Sequence, residues 1–122
     1  MTKAAQQAYG KVANQIASPR EMEADKLLFA ASQLQSIRDA WDLKKSELNG
    51  ALLNNRKLWS VLVTSVTRPE NPLPAAVRQN VANLGIFVLK QTIAVQADPK
   101  PDQLASLINI NRELASGLLG RA

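Results

Sequence analysis

Asparagine stands on or beside the apolar stripes of this chain three times over. Asn54 and Asn55, Asn80 and Asn83, and Asn109 and Asn111 fall there, and Asn55 and Asn111 are each followed directly by arginine. An amide in such a place has two uses. It can line a groove and meet a partner, or it can be buried and paired, because a buried amide without a partner costs about 1–3 kcal/mol. Asn55 is expected to face another of these amides, or a backbone carbonyl at a helix end.

The other polar clusters promise less. Glu21, Glu23 and Asp25 gather where a helix should begin, an arrangement that complements the helix dipole. Ser60, Thr64 and Ser65 have no histidine to activate them, and histidine and cysteine are both absent from the sequence. That removes the commonest general base, the commonest metal ligand and any thiolate chemistry. No glycine-rich phosphate loop occurs. The residues therefore point away from an enzyme and give no catalytic, metal-binding or cofactor-binding set.

At 122 residues, 46% of them hydrophobic, the chain has the length and apolar content for one domain spanning 1–122. No apolar run approaches the roughly 18 residues needed to cross a bilayer. The start, "MTKAAQQAYGKV", lacks the apolar stretch of a signal peptide, so a cytoplasmic protein without membrane insertion is expected. The net charge of +5 is unevenly spread. Lys44, Lys45, Arg56, Lys57, Arg68, Arg78 and Lys90 meet only Glu47 and Glu70, and no carboxylate lies between Glu70 and Asp98. Such a span is either a mildly biased solvated surface or an electrostatic footprint for RNA or an acidic protein.

Helical periodicity runs through the whole chain, and no useful strand-like alternation interrupts it. The sequence predicts an all-α fold, a compact bundle of about five helices with short proline-containing connections. A first helix over about Lys3 to Ile16 carries Ala4, Ala8, Val12 and Ile16. The second opens on a capping box, with Ser18 as N-cap, Pro19 at the first helical position and Glu21 reaching back. Its stripe is Leu27, Ala30, Leu34, Ile37 and Trp41. The third, about Ser46 to Val66, carries Leu48, Leu52, Asn55, Trp59, Leu62 and Val66. Trp59 on that stripe is expected to pack in the core against the fourth or fifth helix.

Residues 68–74 hold Pro69, Pro72 and Pro74 and should form a rigid turn, with Pro72 and Pro74 helping to fix the angle between two helices. The fourth helix, about Pro74 to Ala97 with Gly85 as a possible weak point, is apolar on two faces. Val77, Val81, Leu84, Val88 and Val95 form one; Ala82, Ile86, Leu89 and Ile93 form the other, with Phe87 between. A helix apolar nearly all round either sits at the centre of a bundle or turns one face to a partner. The partner-binding surface is expected at the junction of the third and fourth helices. Arg56, Arg78, Asn80 and Asn83 would stand near its rim, and Ile86, Phe87 and Leu89 would supply apolar contact. The fifth helix, about Asp102 to Leu119, carries Leu104, Leu107, Ile108, Asn111, Leu114 and Leu118, with Gly117 and Gly120 as stops.

Three stretches carry a resemblance: "AYGKVANQIASPREMEAD" (8–25), "NRKLWSVLVTSVTRPENPLPAAVRQNVANLGIFVLKQT" (55–92) and "LASLININRELASGL" (104–118). Together they resemble the FlaF family of alphaproteobacterial flagellar biosynthesis regulators. The most specific pieces are "NRKLW", the "NPLP" turn with Arg78 and Asn83-Leu84 after it, and "INRELASGL". The resemblance implies a small cytoplasmic protein that promotes flagellin synthesis and export, with flagellin and the companion regulator FlbT as partners. It implies no catalytic residues. Direct binding to flagellin message, as an RNA-binding post-transcriptional regulator, is the alternative that the basic span keeps open.

Overall fold

The computed structural model describes residues 19–120, all of its regular structure helical. The expected first helix and the N-cap Ser18 lie outside them. Helix α1 spans Pro19–Asp39. Proline opens it at the one end where a missing N–H costs no hydrogen bond. Glu21 in its first turn and Arg38 in its last complement the dipole. Ala40 leaves helical geometry (φ −124°, ψ 48°) and turns the chain into α2, the single turn Trp41–Lys44. The Lys44 ammonium donates to the Ser36 hydroxyl at 2.6 Å, tying this corner to α1. After a 3-10 turn, Lys45–Glu47, comes α3, Leu48–Thr67. Helix α4 spans Ala75–Ala97, and α5 spans Leu104–Leu118 behind a 3-10 turn at Pro101–Gln103.

Four long helices are thus described where the sequence predicts about five, the difference being the segment before Pro19. Among the described elements, α1 and α5 make the most extensive contact. Helix α3 lies against α1 on one side and α4 on the other, while α4 touches α5 only lightly. Leu27 and Leu34 of α1, Leu52 and Leu62 of α3, and Leu104, Leu107 and Ile108 of α5 are fully or almost fully buried. Each such side chain stabilises the fold by about 1.5–3 kcal/mol. Among the described helices the centre is therefore α1 with α5, and α4 is the edge.

The 68–74 turn works through asparagine as well as proline. Asn71 Nδ2 donates to the Ser65 carbonyl and to the Ser65 hydroxyl, both at 3.1 Å, and its Oδ1 accepts the Leu73 N–H at 3.0 Å. One side chain thus satisfies a carbonyl at the end of α3 and shapes the turn that follows. Pro74 stays extended (ψ 149°) as the N-cap of α4, and its carbonyl accepts the Arg78 N–H at 3.0 Å. Pro72 is exposed. At the other end of the chain Gly120 takes φ 73°, a left-handed stop for α5, whereas Gly117 lies within the helix.

Helix α4 runs unbroken through Gly85, which is no weak point but a contact. A Cβ added there would overlap the Val63 Cγ2 methyl of α3 and lie 3.8 Å from Trp59 Cε3. In an ordinary helix interior, glycine to alanine stabilises by roughly 0.5–1 kcal/mol. Here the sign should reverse. Gly85→Ala is expected to cost about 1–3 kcal/mol by overpacking, and adding Val63→Ala should return most of it. A denaturant melt at or above the parent's for Gly85→Ala alone would show that the two backbones do not need this approach.

Candidate functional site

The amides divide sharply. Asn54, Asn80, Asn83 and Asn109 are exposed, while Asn55 and Asn111 are completely buried. Asn111 of α5 is the hub. Its Oδ1 accepts the Trp59 indole N–H at 2.9 Å, and its Nδ2 donates to Asn55 Oδ1 at 2.7 Å and to the Leu27 carbonyl at 3.3 Å. An indole N–H can only donate, so it sets the orientation of both amides in turn. Asn55 Nδ2, at the far end, is buried without a partner. The cluster joins α1, α3 and α5 at their centre and opens onto no chemistry. Trp59 itself is 2% exposed.

Beside that cluster, an open groove of about 330 Å³ runs along the seam of α3 and α4, over the point where Gly85 carries no side chain. Trp59 and Val63 of α3 and Gly85 and Val88 of α4 line its depth. Arg56, Ser60 and Thr64 form one wall; Ala82, Ile86 and Leu89 form the other. The Ser60 hydroxyl donates to the Arg56 carbonyl at 3.0 Å and the Thr64 hydroxyl to the Ser60 carbonyl at 2.8 Å. Both hydroxyls are thus satisfied by their own helix, which leaves the wall largely hydrocarbon apart from the arginine. Ile86 and Ile93 are each 56% exposed and Leu89 is 45% exposed. Their spacing makes one continuous apolar row along α4, standing clear of the bundle.

Of the expected surface, Arg56, Ile86 and Leu89 come together in this groove. Asn80 lines a different cleft of about 570 Å³ between α4 and α5, with Val77, Leu84 and Ile110. Asn83 is exposed and accepts a hydrogen bond from Gln79 Nε2 at 3.0 Å, within its own helix. Arg78 is half-buried, with its Nε out of solvent and unpartnered, and lines neither opening. Phe87 is 43% exposed and follows Ile86 by one position, which turns it off the groove side. The groove runs along the helices from Arg56 to Thr64, away from the turn at 68–74. Gly85 was legible as a signal, since glycine within an apolar helix usually has a packing reason. Asn71 had one too, as an asparagine poised before proline in a turn.

Helices α3 and α4 contain no Asp or Glu at all. Arg56, Lys57 and Lys90 are exposed on them, and among the described residues none of the three is in an ion pair. The acids lie elsewhere. Glu23 of α1, in a cleft with Arg20, Arg68 and Glu70, has its carboxyl pushed above the usual range by burial, with Lys26 partly opposing. The folded state holds that proton more tightly than the unfolded chain. Stability contributed by this group therefore falls as pH rises from the ordinary glutamate range through the raised value. Glu23→Gln should melt above the parent at neutral pH and level with it below about pH 4. An equal shift at both pH values would clear the carboxyl of responsibility.

The model of a protein family described as flagellar protein FlaF matches residues 5–118. The chain belongs to the FlaF family. That match takes in the groove, the amide cluster and the turn at 68–74. No curated protein and no solved structure gives a significant match to the chain. Among the described residues of this FlaF protein, no helix is long and apolar enough to cross a membrane.

Proposed function

We propose that this FlaF protein is a non-enzymatic cytoplasmic regulator of flagellum assembly. It promotes flagellin synthesis and export by holding an amphipathic helix of flagellin, of FlbT or of each in turn. Flagellin is the primary partner in this reading, and the protein acts on it as a chaperone does. The observation that carries it is the exposed row Ile86, Leu89 and Ile93 over a groove floored by Trp59. Proteins that recognise helices offer this kind of surface, an apolar channel taking residues at i, i+3 and i+7 of the guest. Family membership supplies the flagellar context.

Calorimetry of the purified chain with flagellin, and separately with FlbT, tests the reading. Binding of either should be abolished by Leu89→Asp, which leaves the buried face of α4 untouched. No heat and no complex with either partner would end it. The RNA reading draws on the acid-free α3 and α4. It requires binding to the flagellin message leader with a steep dependence on salt, since each phosphate contact releases counterions.

A further inference from the structure

We infer that the α3–α4 groove selects acidic amphipathic helices: guests whose apolar stripe is flanked by carboxylates. This rests on the reading of the groove as a helix-binding site and specifies the chemistry of its occupant. The groove floor is hydrocarbon, and Ser60 and Thr64 spend their hydroxyls on their own backbone. Its floor can therefore take an apolar stripe of any sequence, and selection must come from the edges.

The edges have one sign. Arg56 stands on the α3 wall, and Lys90 lies one turn beyond Ile86 on the α4 side. Both are exposed, neither is in an ion pair among the described residues, and no Asp or Glu occurs on either helix. A helix lying along the channel would carry its flanking positions past Arg56 on one side and Lys90 on the other. Carboxylates there would meet unpaired cations, and lysines would meet like charge; Glu23 of α1 adjoins Ser60 and Thr64 in a neighbouring cleft that it shares with Arg68. Such rim charges act mainly on partner choice and on association rate, and they are screened by salt.

The test uses two synthetic helical peptides with the same leucine–alanine stripe, one flanked by glutamates and one by lysines, titrated against the whole chain. The glutamate peptide should bind about tenfold tighter at low salt, the effect of two or three exposed charge contacts. The margin should shrink as salt rises. Arg56→Glu/Lys90→Glu should invert the preference while melting like the parent. Lys45→Glu/Lys100→Glu changes net charge equally but lies outside α3 and α4, and it should leave the preference in place. Equal binding of the two peptides, no binding of either, or an equal response to the two double variants would overturn the inference. So would an RNA oligonucleotide that displaces the glutamate peptide with a steep salt slope, since the basic edges would then serve phosphate. Flagellin titrated in parallel separates the two claims. Flagellin binding without a peptide preference removes the inference alone, and a peptide preference without flagellin binding removes only the flagellin reading.

Discussion

Trp59→Ala should bring this protein close to unfolding. Truncating a buried aromatic costs about 3–5 kcal/mol through lost transfer energy and the cavity left behind. Here the indole also supplies the N–H that Asn111 Oδ1 accepts at 2.9 Å, so alanine leaves a buried acceptor orphaned as well. A domain of ordinary stability, about 5–15 kcal/mol, has little margin after such a loss. Trp59→Phe is the milder change. It keeps one aromatic ring but loses the donor and the volume of the second ring, so it should cost about 1–3 kcal/mol, less than alanine. Urea melts followed by circular dichroism would check both, because each variant loses one of the chain's two tryptophans and its fluorescence is no longer comparable with the parent's. A Trp59→Ala melt near the parent's would mean that the ring contributes little to the core.

Much of that core is legible in sequence because periodicity reports burial directly. Leu27, Leu34 and Ile37, then Leu48, Leu52, Trp59, Leu62 and Val66, then Leu104, Leu107, Ile108, Leu114 and Leu118, all lie on stripes of three-four spacing, and all are buried. The ends beside Pro69, Pro74, Pro99 and Gly120 followed to within about two residues, whereas the break at Ala40, before the Trp41 that the stripe carried on to, has no such marker. Helix α4 shows where such reading stops. Two apolar faces say that one helix has more apolar surface than one neighbour can cover, but not which face the neighbour takes. The choice is made by Gly85, whose missing side chain lets α3 approach on that side and so leaves Ile86, Leu89 and Ile93 in solvent. The rim residues were placed less well for the same reason. Arg78, Asn80, Asn83 and Phe87 are close to the groove in sequence, but a helix turns through a full circle in under four residues, and they point elsewhere. The amides posed the opposite difficulty. Asn111 looks no different from Asn109 by type; only its place in step with Leu107 and Leu114 marks it for the interior.

That interior place makes Asn111 the second sensitive point, and the direction of the effect depends on what accompanies the change. Asn111→Leu keeps the volume but strands the Trp59 N–H and Asn55 Oδ1 in the core. At about 1–3 kcal/mol for each of the two stranded groups, a loss of about 2–6 kcal/mol is expected. Asn55→Leu should be milder. It removes one of Asn111's bonds but also removes Asn55 Nδ2, which is already buried without a partner. Replacing the whole cluster, as Asn55→Leu/Trp59→Phe/Asn111→Leu, leaves no polar group stranded, and apolar side chains of similar volume often match a buried polar set in stability. The triple variant should therefore melt well above Asn111→Leu alone, although it carries more substitutions. What it should lose is register, since nothing but shape would then hold α5 in step with α1 and α3, and slower-exchanging core amides should become fewer. Chemical denaturation of the three variants, with hydrogen exchange on the triple, tests the scheme. A triple variant less stable than Asn111→Leu would show that these hydrogen bonds contribute net stability beyond satisfying one another, and that the core cannot be held by its hydrocarbon alone.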